Sequence, residues 1–192
     1  MAGLEIDRQS TALVVIDLQK GIAAAGRQFA PYSMESVVQN AAALADAFRQ
    51  NGMRVFLVHV AASNEERLGV IVDEQIGTAG TPQKDWADII PQVGPKDSDI
   101  IITKKQWGAF YGTDLELQLR RRGIKTIVLC GISTNHGVES TARFAYEYGF
   151  NQIFAEDAMT SMSAEAHNAA IAAVFRRMGR VRKTAEILES LR

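Results

Sequence analysis

A single thiol, Cys130, is present in 192 residues, so an internal disulfide is excluded. That usage suits a reducing compartment. Inside Thr126-Ile-Val-Leu-Cys130 the thiol reads as a buried strand residue. A surplus of charge is also lacking: 21 Lys and Arg face 22 Asp and Glu, for a net charge of −1. There is no general attraction to a phosphate backbone or an anionic lipid surface, and no basic stripe, so neither nucleic acid nor membrane is an expected partner. The one tight basic run, Arg120-Arg121-Arg122, falls at an expected helix end, where cations favour the dipole, and reads as a solvated terminus. No run approaches the roughly 20 apolar residues that span a bilayer. The start Met1-Ala-Gly-Leu-Glu5 lacks a basic and then apolar signal pattern, so a cytoplasmic location is expected. Repeats, low-complexity tracts and linkers are missing too. One domain over residues 1–192 is expected, long enough to bury roughly 70% of its unfolded surface.

What is present is an alternation of short β-branched runs with amphipathic stretches, the pattern of βα units wound around a parallel sheet. Strands are expected at Ala12–Asp17, Arg54–Val60, Asp99–Thr103, Thr126–Gly131, Gln152–Glu156 and near Val181. Being almost continuously apolar, they should be covered on both faces. Between them, 35–51 places Val37, Ala41, Leu44, Ala45 and Phe48 on one helical face, with Ser33 as N-cap and Gly52 as stop. Thr113-Asp-Leu-Glu116 has the spacing of a capping box for a helix ended by Gly123. Further helices are expected at 138–148, 164–178 and 185–191. The stretch 61–98 is long for a connection and should be largely irregular, with a turn of helix at 86–90; such loops are often lids or binding loops.

Ligands of open parallel sheets gather beyond the carboxyl ends of the strands. Asp17, Lys104 and the turn 131–137 all fall at such ends. Five apolar or small residues precede Asp17, which should desolvate its carboxyl and push its pKa upward, while a nearby Lys104 ammonium would pull it down. Trp107 and Phe110, directly after Lys104, are candidate pocket walls, with core packing equally open to Phe110. Asn135 and His136 are candidate substrate contacts because they lie in the turn.

Three stretches carry a family resemblance: Thr11-Ala-Leu-Val-Val-Ile-Asp17, Lys104-Lys-Gln-Trp-Gly-Ala-Phe110 and Gly131-Ile-Ser-Thr-Asn-His-Gly137-Val-Glu-Ser-Thr-Ala142. Together they resemble the isochorismatase-like hydrolases, from about Thr11 to Leu191, and Gln106–Gly123 is similar to uncharacterised bacterial members. The resemblance implies a three-layer α/β/α fold with a six-stranded parallel sheet of order 3-2-1-4-5-6, which sets Asp17 beside the turn. It also implies a non-proline cis peptide between Ile132 and Ser133, with the Ser133 and Gly137 amides aimed inward. The family's amidases use an Asp, a Lys and a Cys nucleophile. Here Gly137 aligns with that Cys, so the resemblance implies the chemistry of the isochorismatases, which carry glycine there and cleave a vinyl ether by proton donation from the acid corresponding to Asp17, with Lys104 orienting it. Family relatives are commonly homo-oligomers, and the face Ala169-Ala-Ile-Ala-Ala-Val174 could serve that purpose or pack on the sheet.

Departures narrow the reading. The nicotinamidase branch holds a metal with an Asp/His cluster after its second strand, whereas Val58-His-Val-Ala-Ala-Ser63 offers one histidine, so no metal or other cofactor is expected. Arg67 and Trp86 are candidates for the pocket of true isochorismatases without a matching motif. Two rivals stand beside the hydrolase: a serine esterase using Ser133, Asp157 and His167, whose Gly131-Ile-Ser-Thr-Asn135 lacks the second glycine of the nucleophile elbow, and a non-catalytic small-acid binder.

Overall fold

Why this chain builds a sheet buried on both faces is visible in its central strands, where apolar side chains run without interruption over 12–16, 55–58 and 127–130. The computed structural model describes residues 4–23, 27–63, 65–66, 68–74 and 83–192. In chain order the elements are β1 (Thr11–Ile16), α1 (Lys20–Ala23), α2 (Met34–Gln50), β2 (Arg54–Val60), β3 (Ile100–Lys104), α3 (Leu115–Arg121), β4 (Thr126–Ile132), α4 (Glu139–Glu147), β5 (Asn151–Thr160), α5 (Ala164–Ala169), α6 (Arg176–Met178), β6 (Arg180–Arg182) and α7 (Thr184–Glu189). Wider helical turns, Thr134–Val138 and Ala170–Phe175, lead into α4 and join α5 to α6. The six strands are parallel in the order β3-β2-β1-β4-β5-β6. This is the α/β fold expected.

Alternation along the strands divides the core. Ala12, Val14 and Ile16 of β1 join Phe56, Val58, Ile102, Ile127, Leu129 and Phe154 beneath Leu115 and Leu119 of α3, Ala142 and Ala145 of α4, and Phe175. Leu13 and Val15 face the other way, with Leu57, Val128, Cys130 and Ile153, beneath Val37, Leu44 and Phe48 of α2 and Ile187 of α7. Each fully buried side chain of this kind contributes roughly 1.5–3 kcal/mol relative to exposure. Ala170 and Ile171 belong to the first layer, so part of the 169–174 face packs inward, while Ala169, Ala172 and Ala173 are exposed.

Several local expectations need correction. The capping box at 113–116 does not form: Thr113 Oγ1 accepts from Leu115 N at 3.1 Å and donates to Ala109 O at 2.6 Å, while the Glu116 carboxylate lies 3.5 Å from Arg120 Nε. β5 runs four residues past Glu156, because a register shift against β4 between Leu129 and Gly131 accommodates the polar pair Glu156-Asp157 inside the strand. Asp157 there accepts from Thr184 N and Thr184 Oγ1, both at 2.7 Å. The segment around Trp86 forms turns over 84–87 rather than a helix, and Ile89 pairs antiparallel with Gln19. Among the described residues no helix is long and apolar enough to cross a membrane.

One glycine decides where the site can form. Gly131 pairs with Ile16 across the β1–β4 junction at φ 116°, and a Cβ on it would lie 2.0 Å from Ile16 O. Only glycine lets the two backbones approach there, which sets the turn after β4 beside the residue after β1.

Candidate active site

β1 ends at Asp17, which adopts a left-handed backbone at φ 54°, a conformation uncommon outside glycine but enriched in Asp and Asn. Its N–H donates to Val58 O at 2.9 Å, holding the residue at the strand end while the chain turns away. The carboxyl is buried, and its two oxygens are treated differently. Oδ2 accepts from Lys104 Nζ at 2.7 Å, whereas Oδ1 is buried without a hydrogen-bond partner among the described residues. Lys104, the last residue of β3, is 1% exposed, and its ammonium also donates to the carbonyl of Trp107. Burial pushes the Asp17 carboxyl above its ordinary range, and the Lys104 ammonium pulls it back by charge and by hydrogen bond without cancelling that rise.

The opposite wall is the turn after β4. The Ile132–Ser133 peptide is cis, and Ser133 O accepts from His136 N and Val138 N, both at 3.1 Å. Gly137 sits directly against the acid: a Cβ there would lie 3.1 Å from Asp17 Oδ2 and Ile16 Cγ2 and 3.2 Å from Ile132 O. Side chains behind the turn hold it. Thr134 Oγ1 lies 2.8 Å from His167 Nδ1, Ser161 Oγ donates to Asn135 Oδ1, and Thr141 Oγ1 donates to Gly137 O at 2.7 Å. Thr141 also accepts from Ala109 N at 3.1 Å, which ties the turn to the segment after Lys104.

His136 and Trp107 close one rim, their rings edge to face with centroids 4.7 Å apart and Trp107 55% exposed. Desolvation lowers the His136 pKa, with Glu139 pulling the other way. The sequence-expected residues Asp17, Lys104, Gly137, Ser133, Asn135, His136 and Trp107 thus belong to one neighbourhood. Phe110, offered as a wall, does not: it is 4% exposed and packs with Phe150 and Tyr148 at centroid distances of 6.0 and 5.4 Å, because apolar neighbours there offer it more burial than the rim.

The esterase triad is not assembled. His167 meets Thr134 rather than Ser133, and Asp157 is taken up by Thr184. Cys130 is wholly buried in β4, where desolvation pushes its thiol up to about 12, so it offers no thiolate. Both ring nitrogens of His59 are engaged, with Ala87 O and Thr103 Oγ1 at 2.7 Å each. Trp86 lies against Gly21, where a Cβ would meet its ring at 1.9 Å; Arg67 lies outside the described residues.

Sequence reasoning missed three polar residues that shape the site, Gln19, Thr134 and Thr141, and gave His167 a different role. Gln19, wholly buried two residues after Asp17, accepts from Val60 N at 2.8 Å and donates to Val60 O at 3.0 Å and Trp86 O at 3.3 Å. Thr141 and the Thr134–His167 pair are likewise 0% exposed. Thr141 follows Gly137 by one helical turn, a spacing that could have marked it; nothing local marks His167 as a partner of Thr134.

The isochorismatase domain model matches residues 11–186. The chain belongs to the isochorismatase family. This isochorismatase-like hydrolase is 53% identical to the uncharacterized isochorismatase family protein YecD of Escherichia coli O157:H7 over 98% of its own length and 100% of that protein. It is 48% identical to the uncharacterized isochorismatase family protein YwoC of Bacillus subtilis (strain 168), covering 100% of both. The structure of an isochorismatase family protein from Burkholderia thailandensis superposes with a TM-score of 0.92 at 39% identity, covering 99% of each chain.

Proposed function

We propose that this family member cleaves the vinyl ether of a small carboxylate by proton donation from Asp17, with no covalent intermediate. The observation that carries the reading is the Asp17 carboxyl itself: buried, anchored on Oδ2 by Lys104, and bare on Oδ1. A carboxyl whose pKa is raised keeps its proton into the range where a general acid is useful, and an oxygen with no protein partner is available to give that proton to substrate.

The steps balance without a nucleophilic side chain. Asp17 protonates the terminal CH2 carbon of the enolpyruvyl group, leaving an oxocarbenium ion at the carbon bearing the ether oxygen. Water adds to that carbon and loses a proton, which restores the acid, and the resulting hemiketal collapses to pyruvate and the free alcohol. Lys104 keeps the carboxyl oriented and its positive charge favours an anionic substrate. At position 137 glycine leaves space against Asp17 Oδ2 where a larger residue would crowd the acid. Trp107, His136, Asn135 and Ser133 supply the rim and polar contacts, with the Ser133 and Gly137 amides facing the substrate. Catalysis by one chain of 192 residues needs no cofactor in this scheme, and a homo-oligomer in the cytoplasm is its expected setting.

The test offers isochorismate, a panel of enolpyruvyl ethers and a panel of small amides, with pyruvate release coupled to lactate dehydrogenase and Asp17→Asn as control. Pyruvate from the ethers, lost in the control, is the expected result. Equal rates from both proteins would remove Asp17 from the mechanism. Binding of the ethers without turnover would make the protein a small-acid binder.

A further inference from the structure

The one buried residue of α5 is a histidine, and the proton-transfer scheme makes no use of it. His167 is 0% exposed; its Nδ1 lies 2.8 Å from Thr134 Oγ1, and its Nε2 is buried with no hydrogen-bond partner among the described residues. The Tyr32 ring meets the imidazole edge to face at 5.7 Å. An apolar side chain of similar size would fill this place without stranding a polar nitrogen, so packing alone does not account for the imidazole. Among the described residues the one polar contact of the ring goes to Thr134, the residue between Ser133, at the cis peptide, and Asn135.

That contact does not stand alone. Ser161, in the connection that leads from β5 into α5, donates to Asn135 Oδ1, so consecutive residues of the turn are gripped from behind by the stretch 161–167. The segment is itself fixed. Ser161 pairs with Ala30 through backbone bonds of 2.9 and 3.2 Å, Thr160 Oγ1 donates to Tyr32 O at 2.7 Å, and Ser163 caps α5 by accepting from Ala166 N. His167 N donates to Ser163 O at 3.1 Å, which locks the backbone that presents the ring.

We infer that His167 is a positioning residue: through Thr134 it sets the orientation of the Ser133–Gly137 turn against Asp17, and so acts on turnover more than on substrate affinity. This rests on the proposed hydrolase reading for its kinetic consequence, but not for its geometry. The bond matters because a reacting group displaced by about 1 Å can lose roughly 100-fold in rate.

The experiment compares His167→Phe, His167→Asn, Thr134→Val and the double variant Thr134→Val/His167→Phe with the parent protein. Asn places an amide near the position of Nδ1 and can renew the contact with Thr134; Phe and Val cannot. On an enolpyruvyl ether, His167→Phe and Thr134→Val should each lower kcat by about 10- to 100-fold with KM little changed. His167→Asn should retain most of kcat, and the double variant should be no slower than either single one. In 1H–15N spectra without substrate, the amides of residues 133–137 should move in His167→Phe and Thr134→Val and stay near their parent positions in His167→Asn. Unchanged kcat in His167→Phe, additive losses in the double variant, or turn amides that do not move would each overturn the inference. If the parent protein turns over none of the ethers, the hydrolase reading fails while the spectra still decide the brace.

Discussion

Among the described residues two ion pairs have buried acids, and they are built on opposite plans. Arg49 of α2 meets Asp99 bidentately, Nε to Oδ1 at 3.0 Å and Nη2 to Oδ2 at 2.8 Å; Lys96 N adds a third bond to Oδ2 at 2.7 Å. The guanidinium also donates to Val93 O and to Asp46, so both partners are satisfied with the acid's side chain 0% exposed. Lys104 and Asp17 share a single 2.7 Å contact, and the second carboxyl oxygen has no partner among the described residues. Leaving a buried acceptor unpaired costs about 1–3 kcal/mol. The first pair is therefore a fastening between α2 and the chain before β3. The second has the form that the proposed mechanism requires, an unmet hydrogen bond inside the protein that a ligand could take up.

Exchanging the chemistry of the two pairs should separate these roles. Asp17→Asn should lower turnover by about 100- to 10,000-fold, the range of a lost general acid, whereas Asp99→Asn should leave the rate per folded molecule intact and cost about 3–5 kcal/mol of stability in urea unfolding. The Asp17 effect also has a pH signature. With its folded pKa above the ordinary 3.8, the native state holds that proton more tightly than the unfolded chain does. The stability so gained is complete below the ordinary value and is lost as pH rises through the raised one, and Asp17→Asn should flatten that slope in denaturation midpoints measured across the window.

Removing the cation sharpens the same contrast. In Lys104→Met the charge and hydrogen bond that hold the Asp17 pKa down disappear, so it should rise further, carrying the alkaline limb of the kcat profile to higher pH while kcat itself falls. Gly137→Ala tests the space beside the acid: its Cβ would press on Asp17 Oδ2 at 3.1 Å, for an expected loss of about 1–3 kcal/mol in thermal unfolding and slower turnover. Smallest of all, Cys130→Ala should leave activity unchanged and cost about 1 kcal/mol, since its thiol is sealed in the sheet. A loss of turnover there would return sulfur to the mechanism.

The sequence by itself determined the sheet, because continuous apolar runs can be satisfied only by burial on both faces, and it determined the helices whose caps and glycine stops are local. Ser33 does accept from Ser36 N at 3.2 Å, and Gly52 does turn left-handed at φ 67°. The strand-end positions of Asp17, Lys104 and the 131–137 turn were legible for the same reason, since strand ends are set by local composition. Tertiary structure alone decided which long-range partners each polar group would meet. Thr134 finds His167 33 residues away, Gln19 finds Val60 41 residues away, and Phe110 turns into the core. The capping box fails because the helix begins at Leu115, one residue later than the spacing implies, so Thr113 Oγ1 accepts from Leu115 N rather than from Glu116 N while its proton goes to Ala109 O. A buried hydrogen bond depends on where a partner is delivered, and that delivery is a property of the assembled layers rather than of any single segment.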